Sequence, residues 1–284
     1  MMIYPATGAA FLAGLLALLR GRRASAAHDA PPPARGSAHP APDDAPAGLP
    51  PDLAKVAAHR RTAYLPVVED GDTVAAGSKL AGAPALAPGE AWPACARCGR
   101  PMQLFVQLSG DELPAAGRER VRPGELLQLF YCTSVEPHCE GECEAWSPHA
   151  ESTLLRLVPA PPAGSAAPPV PPGMFPPRRI VGWTEVDDYP HYEEHDALGV
   201  QLDDAEVDAL LDSYPLPGEK LLGWPNWVQG EEYPRCRSCG SPMELLFQVD
   251  SEHDLPYMFG DLGTGHVTQC GKHREELAFG WACH

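Results

Sequence analysis

The sequence is poor in basic side chains. It has 21 lysine and arginine residues against 38 aspartate and glutamate residues, and its formal net charge at pH 7 is −17. Such a charge disfavours broad contact with nucleic-acid backbones or anionic lipid, and it suits a basic protein partner. The arginines near the cysteine motifs are Arg97, Arg100, Arg235 and Arg237. They do not form a basic stripe interleaved with aromatic residues, so a nucleic-acid-binding zinc ribbon is the less favoured alternative.

The usual hydrolase motifs are also missing. Neither His-Glu-x-x-His nor Gly-x-Ser-x-Gly occurs in the sequence, which excludes two common signatures of metalloproteases and serine hydrolases. His138-Cys139-Glu140 matches one half of a nucleobase-deaminase signature, but the CxxC that should follow it lies beyond a proline tract. We therefore expect no enzyme activity. A zinc-dependent hydrolase of unknown substrate is the alternative.

Residues 1–23 form an apolar N-terminal segment in which Arg20, Arg22 and Arg23 follow the apolar run. A secretory signal has its positive charge before that run, so we interpret the segment as a non-native extension or a membrane anchor. Residues 24–57 are rich in proline and alanine, which predicts a disordered linker. We expect a cytoplasmic protein or, with an anchor, a folded part that faces the cytoplasm.

The cysteine content indicates metal binding. There are nine cysteines, which is an odd number, and the chain is too long for a small disulfide-rich scaffold. Four of the nine form two CxxC pairs. This pattern favours metal ligation in a reducing compartment over a disulfide framework.

The sequence contains an internal duplication. The motif Cys95-x-x-Cys98-Gly99-x-Pro101-Met102 recurs 141 residues later as Cys236-x-x-Cys239-Gly240-x-Pro242-Met243. The same offset relates Lys79-Leu80-x-Gly82-x-Pro84 to Lys220-Leu221-x-Gly223-x-Pro225. A register kept over this length without a gap indicates two copies of one unit.

The duplication and the apolar periodicity together predict the fold. We expect an α+β fold that is mainly antiparallel β, with an internally duplicated unit whose copies each carry a zinc-knuckle or ribbon site. Residues 58–158 form the first β-rich zinc-binding repeat, 159–177 a proline-rich linker and 178–284 the second repeat. The predicted strands are Arg61–Val68, Met102–Leu108, Leu126–Cys132, Thr153–Val158, Arg178–Trp183, Glu244–Val249, His266–Cys270 and Leu277–Ala282.

Between these strands the sequence predicts three other features. One helix spans Asp203–Tyr214, because an aspartate can cap it and its apolar residues fall on one face. The acidic stretch Asp187–His195 is interpreted as a surface loop. Gly260–Gly265 is predicted to form a hairpin turn, since no helix follows it to complete a phosphate site.

Two sets of residues have the spacing of structural zinc ligands. The first consists of Cys95, Cys98 and Cys132, with a fourth ligand available from Cys139, Cys143 or His138. The second is a complete set, Cys236, Cys239, Cys270 and His273, in which Cys283 or His284 could substitute for a member. Zinc prefers four such ligands in a tetrahedron, so we predict two structural Zn²⁺ ions. The alternative is a set of buried free thiols or a redox dithiol.

Several motifs resemble known families. Trp92-Pro93-x-Cys95-x-x-Cys98, Gly223-Trp224-Pro225-x-Trp227 and Leu245–Ser251 resemble the YwqG-like family of bacterial proteins, a domain of unknown function, over about residues 60–284. More distantly, the paired CxxC–strand–Cys halves are similar to the programmed cell death protein 2 family. That similarity implies a carrier of a newly made ribosomal protein. The resemblances imply a duplicated β-rich fold and transfer no catalytic residue.

Our hypothesis for the function is a protein-binding or chaperone-like module for a basic or nascent protein partner. The partner would bind along exposed strand edges or at the loops that contain Trp183, Trp224 and Trp227.

Overall fold

The computed structural model describes residues 51–73, 76–165, 168–211, 213–251 and 253–284. The apolar segment 1–23 and residues 24–50 of the predicted linker lie outside the described residues. The end of that linker forms a 3₁₀ helix, Pro51–His59. None of the helices in the described ranges is both long and apolar enough to cross a bilayer.

Ten strands and several short helices make up the described part of the chain. The strands are β1 (Arg61–Asp70), β2 (Lys79–Leu80), β3 (Gln103–Ser109), β4 (Glu125–Tyr131), β5 (Thr153–Pro159), β6 (Arg178–Asp188), β7 (Lys220–Leu222), β8 (Glu244–Asp250), β9 (Thr264–Gln269) and β10 (Leu277–Ala282). The helices are α1 (Ala115–Arg118), α2 (Cys139–Glu142), α3 (His195–Leu198) and α4 (Asp204–Leu211), with a further 3₁₀ helix at Tyr192–Glu194.

All ten strands belong to one antiparallel sheet in the order β10-β9-β8-β7-β1-β6-β2-β3-β4-β5. The sheet curls until its two edge strands, β5 and β10, come into contact, so that it nearly closes on itself. This contact covers part of the strand edge that an open sheet would present.

The two halves exchange their first strands. β1 belongs to the first half but pairs with β7 of the second, while β6 of the second half pairs with β2 of the first. β1 and β6 also pair with each other over their whole length, with one irregularity between Val67 and Val68. The two copies therefore interlock through a shared sheet, because each completes its strand order with a strand from the other.

The core lies inside the curled sheet and contains aromatic rings from both halves. Phe105 on β3 stacks on Tyr131 on β4 with ring centroids 4.9 Å apart. Phe259 and Phe279 from the second half meet Tyr131 edge-on at 6.1 Å. β3 is buried at all seven positions, so this strand is covered on both faces.

The predicted strands are confirmed with end shifts of a few residues; the largest extends β6 to Asp188. The predicted turn at Gly260–Gly265 is confirmed by the bridge between Phe259 and Gly263. The predicted helix Asp203–Tyr214 is shorter, because α4 ends at Leu211. After that residue the chain turns, and Tyr214 packs edge-on against Tyr189 at 4.8 Å.

The interpretation of Asp187–His195 as a surface loop is wrong. Asp188 ends β6, and the rest of the stretch contains the second 3₁₀ helix and the start of α3. The side chains of Asp188, Glu194 and His195 are buried. The acidic composition suggested that these side chains would be exposed to solvent. Their burial depends on tertiary contacts, which the local sequence does not reveal.

Asp188, the last residue of β6, holds the stretch from Leu216 to Trp224, which contains β7. Its carboxylate accepts hydrogen bonds from Lys220 Nζ at 2.9 Å, from the Leu216 amide at 2.9 Å and from the Trp224 amide at 2.8 Å. Both charged side chains are fully buried. Gly223 is required beside them, since its φ is +79° and a Cβ there would lie 2.5 Å from Asp188 Oδ2.

Replacement of Lys220 by methionine tests this buried pair. K220M leaves the Asp188 carboxylate buried without its cation, so we expect the free energy of unfolding to fall by about 3–5 kcal/mol. The matched control is K55M, which breaks the more exposed pair between Lys55 and Glu206; its loss should be about 1 kcal/mol or less. Urea denaturation at neutral pH measures both. Equal losses for the two variants would contradict the role given to Asp188.

Candidate metal centres

Each CxxC pair lies in a tight turn held by main-chain hydrogen bonds. In the first turn the Cys95 amide donates to the Arg100 carbonyl at 2.9 Å, and the Gly99 amide donates to the Cys95 carbonyl at 2.8 Å. Gly99 has a φ of +72°, a region that glycine enters without steric strain. The second turn repeats these bonds through Cys236, Ser241 and Gly240, with the same distances. The duplicated motif therefore has a duplicated backbone geometry.

The sheet brings a third cysteine to each turn. Cys132 directly follows β4, and Cys270 directly follows β9. Each of these strands is antiparallel to the strand that starts just after the turn, β3 or β8. Because antiparallel neighbours begin and end at opposite points, the end of one strand meets the start of the other.

The first candidate centre consists of Cys95, Cys98, Cys132 and Cys139. Their four sulfur atoms all lie within 4.8 Å of one another. The Sγ atoms of Cys98 and Cys132 are 3.7 Å apart. Cys139 comes from the start of α2 and is buried.

The second candidate centre consists of Cys236, Cys239, Cys270 and His273, whose ligand atoms also lie within 4.8 Å of one another. Sγ of Cys239 is 3.7 Å from Sγ of Cys270. Nδ1 of His273 is 3.7 Å from Sγ of both Cys236 and Cys270. The structure thus brings together the four residues of the predicted set, and Cys283 and His284 are not in the group.

Cys143 is not part of the first group, although the sequence named it as a possible ligand. It lies one helical turn after Cys139, half-buried at the end of α2, and its amide donates to the Cys139 carbonyl at 3.0 Å. His138, the other alternative, is the N-cap residue of α2 and is also outside the group. Spacing could not decide among these residues, because the choice depends on how a four-residue helix packs against the turn.

The distances within both groups fit a tetrahedral ion. A tetrahedron whose centre lies about 2.3 Å from each sulfur has edges of about 3.8 Å. The observed 3.7 Å separations match those edges. They are far longer than the roughly 2.05 Å of a disulfide bond, and all nine cysteines are free thiols. Each group could therefore hold one metal ion.

The second cysteine of each turn is acidified. Burial opposes ionisation of Cys98, but hydrogen bonds from the Arg100 main chain and the neighbouring thiols outweigh it and lower its pKa to about 7. Hydrogen bonds from the side chain and then the main chain of Ser241 lower the pKa of Cys239 to about 6. Since the thiolate is the form that binds a metal, both turns present a thiolate near neutral pH.

With this geometry in place, a comparison with family models gives a match over residues 78–269 to the family described as a domain of unknown function (DUF1963). The chain belongs to this family. The matched region contains the whole first centre and both cysteines of the second turn, while Cys270 and His273 lie just beyond its end. A comparison with curated proteins gives no match. The resemblance to the YwqG-like and programmed cell death protein 2 families therefore stays a prediction.

Exchange of single thiols for serine distinguishes ligand from neighbour in this DUF1963 chain. C139S removes one of the four donors, so we expect the first centre to lose metal affinity by more than about tenfold, the loss that even outer-shell changes can cause. C143S should leave the affinity unchanged, because Cys143 lies outside the group. Competition with a chromophoric chelator gives both affinities. Equal weakening in C139S and C143S would remove Cys139 from the proposed ligand set.

Proposed function

We propose that this chain is a zinc-stabilised, protein-binding module of chaperone-like type whose partner is a basic or nascent protein. The observation that carries the proposal is that each centre offers four protein donors at tetrahedral spacing. A structural zinc site has all four positions filled by protein, whereas a catalytic site keeps one for water. The zinc ions then maintain the fold, and the function lies in the surface that the fold presents.

The donor chemistry supports zinc as the ion. Seven thiols and one imidazole form the two groups. Soft thiolates with tetrahedral geometry are typical of zinc and of iron–sulfur sites. Each bound zinc would contribute on the order of 10 kcal/mol of folding free energy at neutral pH, which compares with about 5–15 kcal/mol for a whole domain. Both centres serve the same sheet, so metal loss from either would weaken the whole molecule.

Charge supports a basic partner. The net charge of −17 attracts basic proteins at long range and repels nucleic acid. Two of the four arginines near the turns already have partners: Arg97 pairs with Glu142 at 3.5 Å, and Arg235 donates to the Gly240 carbonyl at 3.1 Å. This arrangement weakens the nucleic-acid alternative.

The surface suggested by the sequence needs revision. Trp224 is buried, and its Nε1 donates to the His59 carbonyl at 2.8 Å while the Arg61 guanidinium lies 3.2 Å above its ring. Trp227 is buried as well. Trp183 is partly buried and donates to the Glu112 carbonyl. Trp183 and Trp224 are occupied within the fold and Trp227 is largely covered, so the proposed contact surface moves to the exposed Trp146 and its neighbours.

The ligand shell of the bound metal separates our proposal from a zinc hydrolase. X-ray absorption of the zinc-loaded protein should give an average of about 3.5 sulfur and 0.5 nitrogen ligands per zinc, as expected for one Cys₄ and one Cys₃His site. No oxygen ligand is expected, because protein donors fill both shells. A zinc-bound oxygen in either shell would favour the hydrolase instead.

Peptide binding tests the partner class. We expect the zinc-loaded protein to bind a fluorescently labelled lysine- and arginine-rich peptide saturably, and more weakly as salt is raised, because ionic attraction is screened. A glutamate-rich peptide of equal length should not bind. Fluorescence anisotropy measures both.

The matched control is the double variant C236S/C239S, which keeps every acidic residue but loses the second turn's thiols. If the folded protein and this variant bind the basic peptide equally, attraction to the chain's charge alone explains the binding, and the proposal fails. Failure of the zinc-loaded protein to bind the basic peptide would have the same consequence.

A further inference from the structure

An aromatic cavity of about 600 Å³ lies where the two edges of the sheet meet. Its walls include Trp146 from the segment before β5, Trp227 and Tyr233 from the segment before the second turn, and Trp281 from β10. The Trp281 amide donates to the Trp146 carbonyl at 3.1 Å, which joins β10 to the segment before β5. Gly280 allows this approach, since a Cβ there would lie 3.0 Å from that carbonyl oxygen.

The polar atoms of three of these rings form hydrogen bonds with residues outside the cavity lining. Trp227 Nε1 and the Tyr233 hydroxyl both donate to Glu194 Oε1, at 2.9 and 2.7 Å. Trp281 Nε1 donates to the Tyr131 hydroxyl at 3.0 Å. With these donors engaged, the rings offer the cavity their π surfaces and edges. Trp146, which packs edge-on against Trp281, is 43% exposed and forms part of the opening.

Two acceptors remain in this aromatic lining. His266 is buried, and its Nε2 has no hydrogen-bond partner among the described residues. Burial and then the charge of Lys220 lower the pKa of His266 to about 3, against a hydrogen bond with the Asn226 main chain that raises it. At neutral pH the imidazole is therefore neutral, and one of its nitrogens carries a lone pair. The second acceptor is the carboxylate of Glu232.

The lining has an acidic residue and no balancing base. The Glu232 side chain is exposed, but its partial burial raises the pKa of its carboxyl group. None of the described residues that line the cavity is a lysine or an arginine. Gln229, the amide in the lining, already donates to the Cys283 carbonyl. The cavity thus lacks a cationic donor for its acceptors.

We infer that this cavity binds the side chain of a lysine or arginine from the partner protein, between the aromatic walls and the carboxylate of Glu232. A cation beside tryptophan and tyrosine faces gains cation–π attraction, its alkyl stem gains apolar contact, and its N–H groups donate to the Glu232 carboxylate. A neutral or anionic side chain would gain neither the cation–π attraction nor the ion pair. This inference rests on the proposed function and names the group of the basic partner that the protein recognises.

The test uses the full zinc-loaded chain and Nα-acetyl-lysine methylamide as the probe, followed by ¹⁵N–¹H spectra of the indole N–H groups. We expect saturable shifts for Trp146, Trp227 and Trp281 with a dissociation constant on the order of 1 mM, as suits so small a ligand. Trp183, which lies on β6 outside this lining, should not shift. The arginine analogue should act in the same way.

Two controls make the result decisive. The Nε-acetylated lysine probe has a similar stem without the charge and should bind at least about tenfold more weakly; equal binding would overturn the inference. E232Q should weaken lysine binding by about tenfold or more, the effect of losing one charged hydrogen bond. E231Q removes an equal charge from the adjacent residue, which does not line the cavity, and should change binding little. Equal losses in E232Q and E231Q would also overturn the inference.

The outcomes separate this inference from the proposed function. Binding of the basic peptide without any shift of the three indole signals would leave the function standing and remove the cavity from it. Shifts with the lysine probe, but no binding of basic peptides, would keep the cation site and reject the partner. The wild-type measurement with neutral and charged probes does not depend on whether any variant folds.

Discussion

Neither half of this chain can complete its sheet alone, and the rest of the structure depends on that constraint. β1 needs β7 on one side and β6 on the other, and β6 needs β2. The aromatic core inside the curl likewise draws rings from both halves. Because the long-range pairings must form together, the duplicated units have one cooperative fold rather than two independent ones.

The metal centres and the buried ion pair act at different places in that shared sheet. The turns with their thiols lie beside the hairpins β3–β4 and β8–β9, where each brings a strand end to the start of its neighbour. The Lys220–Asp188 pair lies near the middle, where β7 meets β1 and the end of β6 is nearby. A metal ion bound at each turn would therefore fix the sheet towards its two ends, and the ion pair fixes its middle.

Part of the fold and one of the candidate metal centres could be predicted from the local sequence. Strand positions followed from apolar runs, and Cys236, Cys239, Cys270 and His273 could be grouped because a CxxC turn and a cysteine just after a strand have few other ways to meet. The exchange of β1 and β6 could not be predicted, since a first strand paired within its own copy has the same local sequence as one paired with the other copy. The choice of Cys139 over Cys143 and the burial of Asp188 also depend on tertiary contacts that leave no period or spacing in the sequence.

The near-closure of the sheet affects which surface the fold presents to a partner. A sheet left open between β5 and β10 would expose two long edges, and those edges are where an extended partner adds a strand most readily. Here the two edges come into contact, and Trp146, Trp281 and an acidic side chain line the cavity beside β10. Under our proposal, recognition therefore acts through a side chain inserted between these rings rather than through strand addition. A metal ion in each candidate centre would hold the hairpins β3–β4 and β8–β9, which adjoin the edge strands β5 and β10.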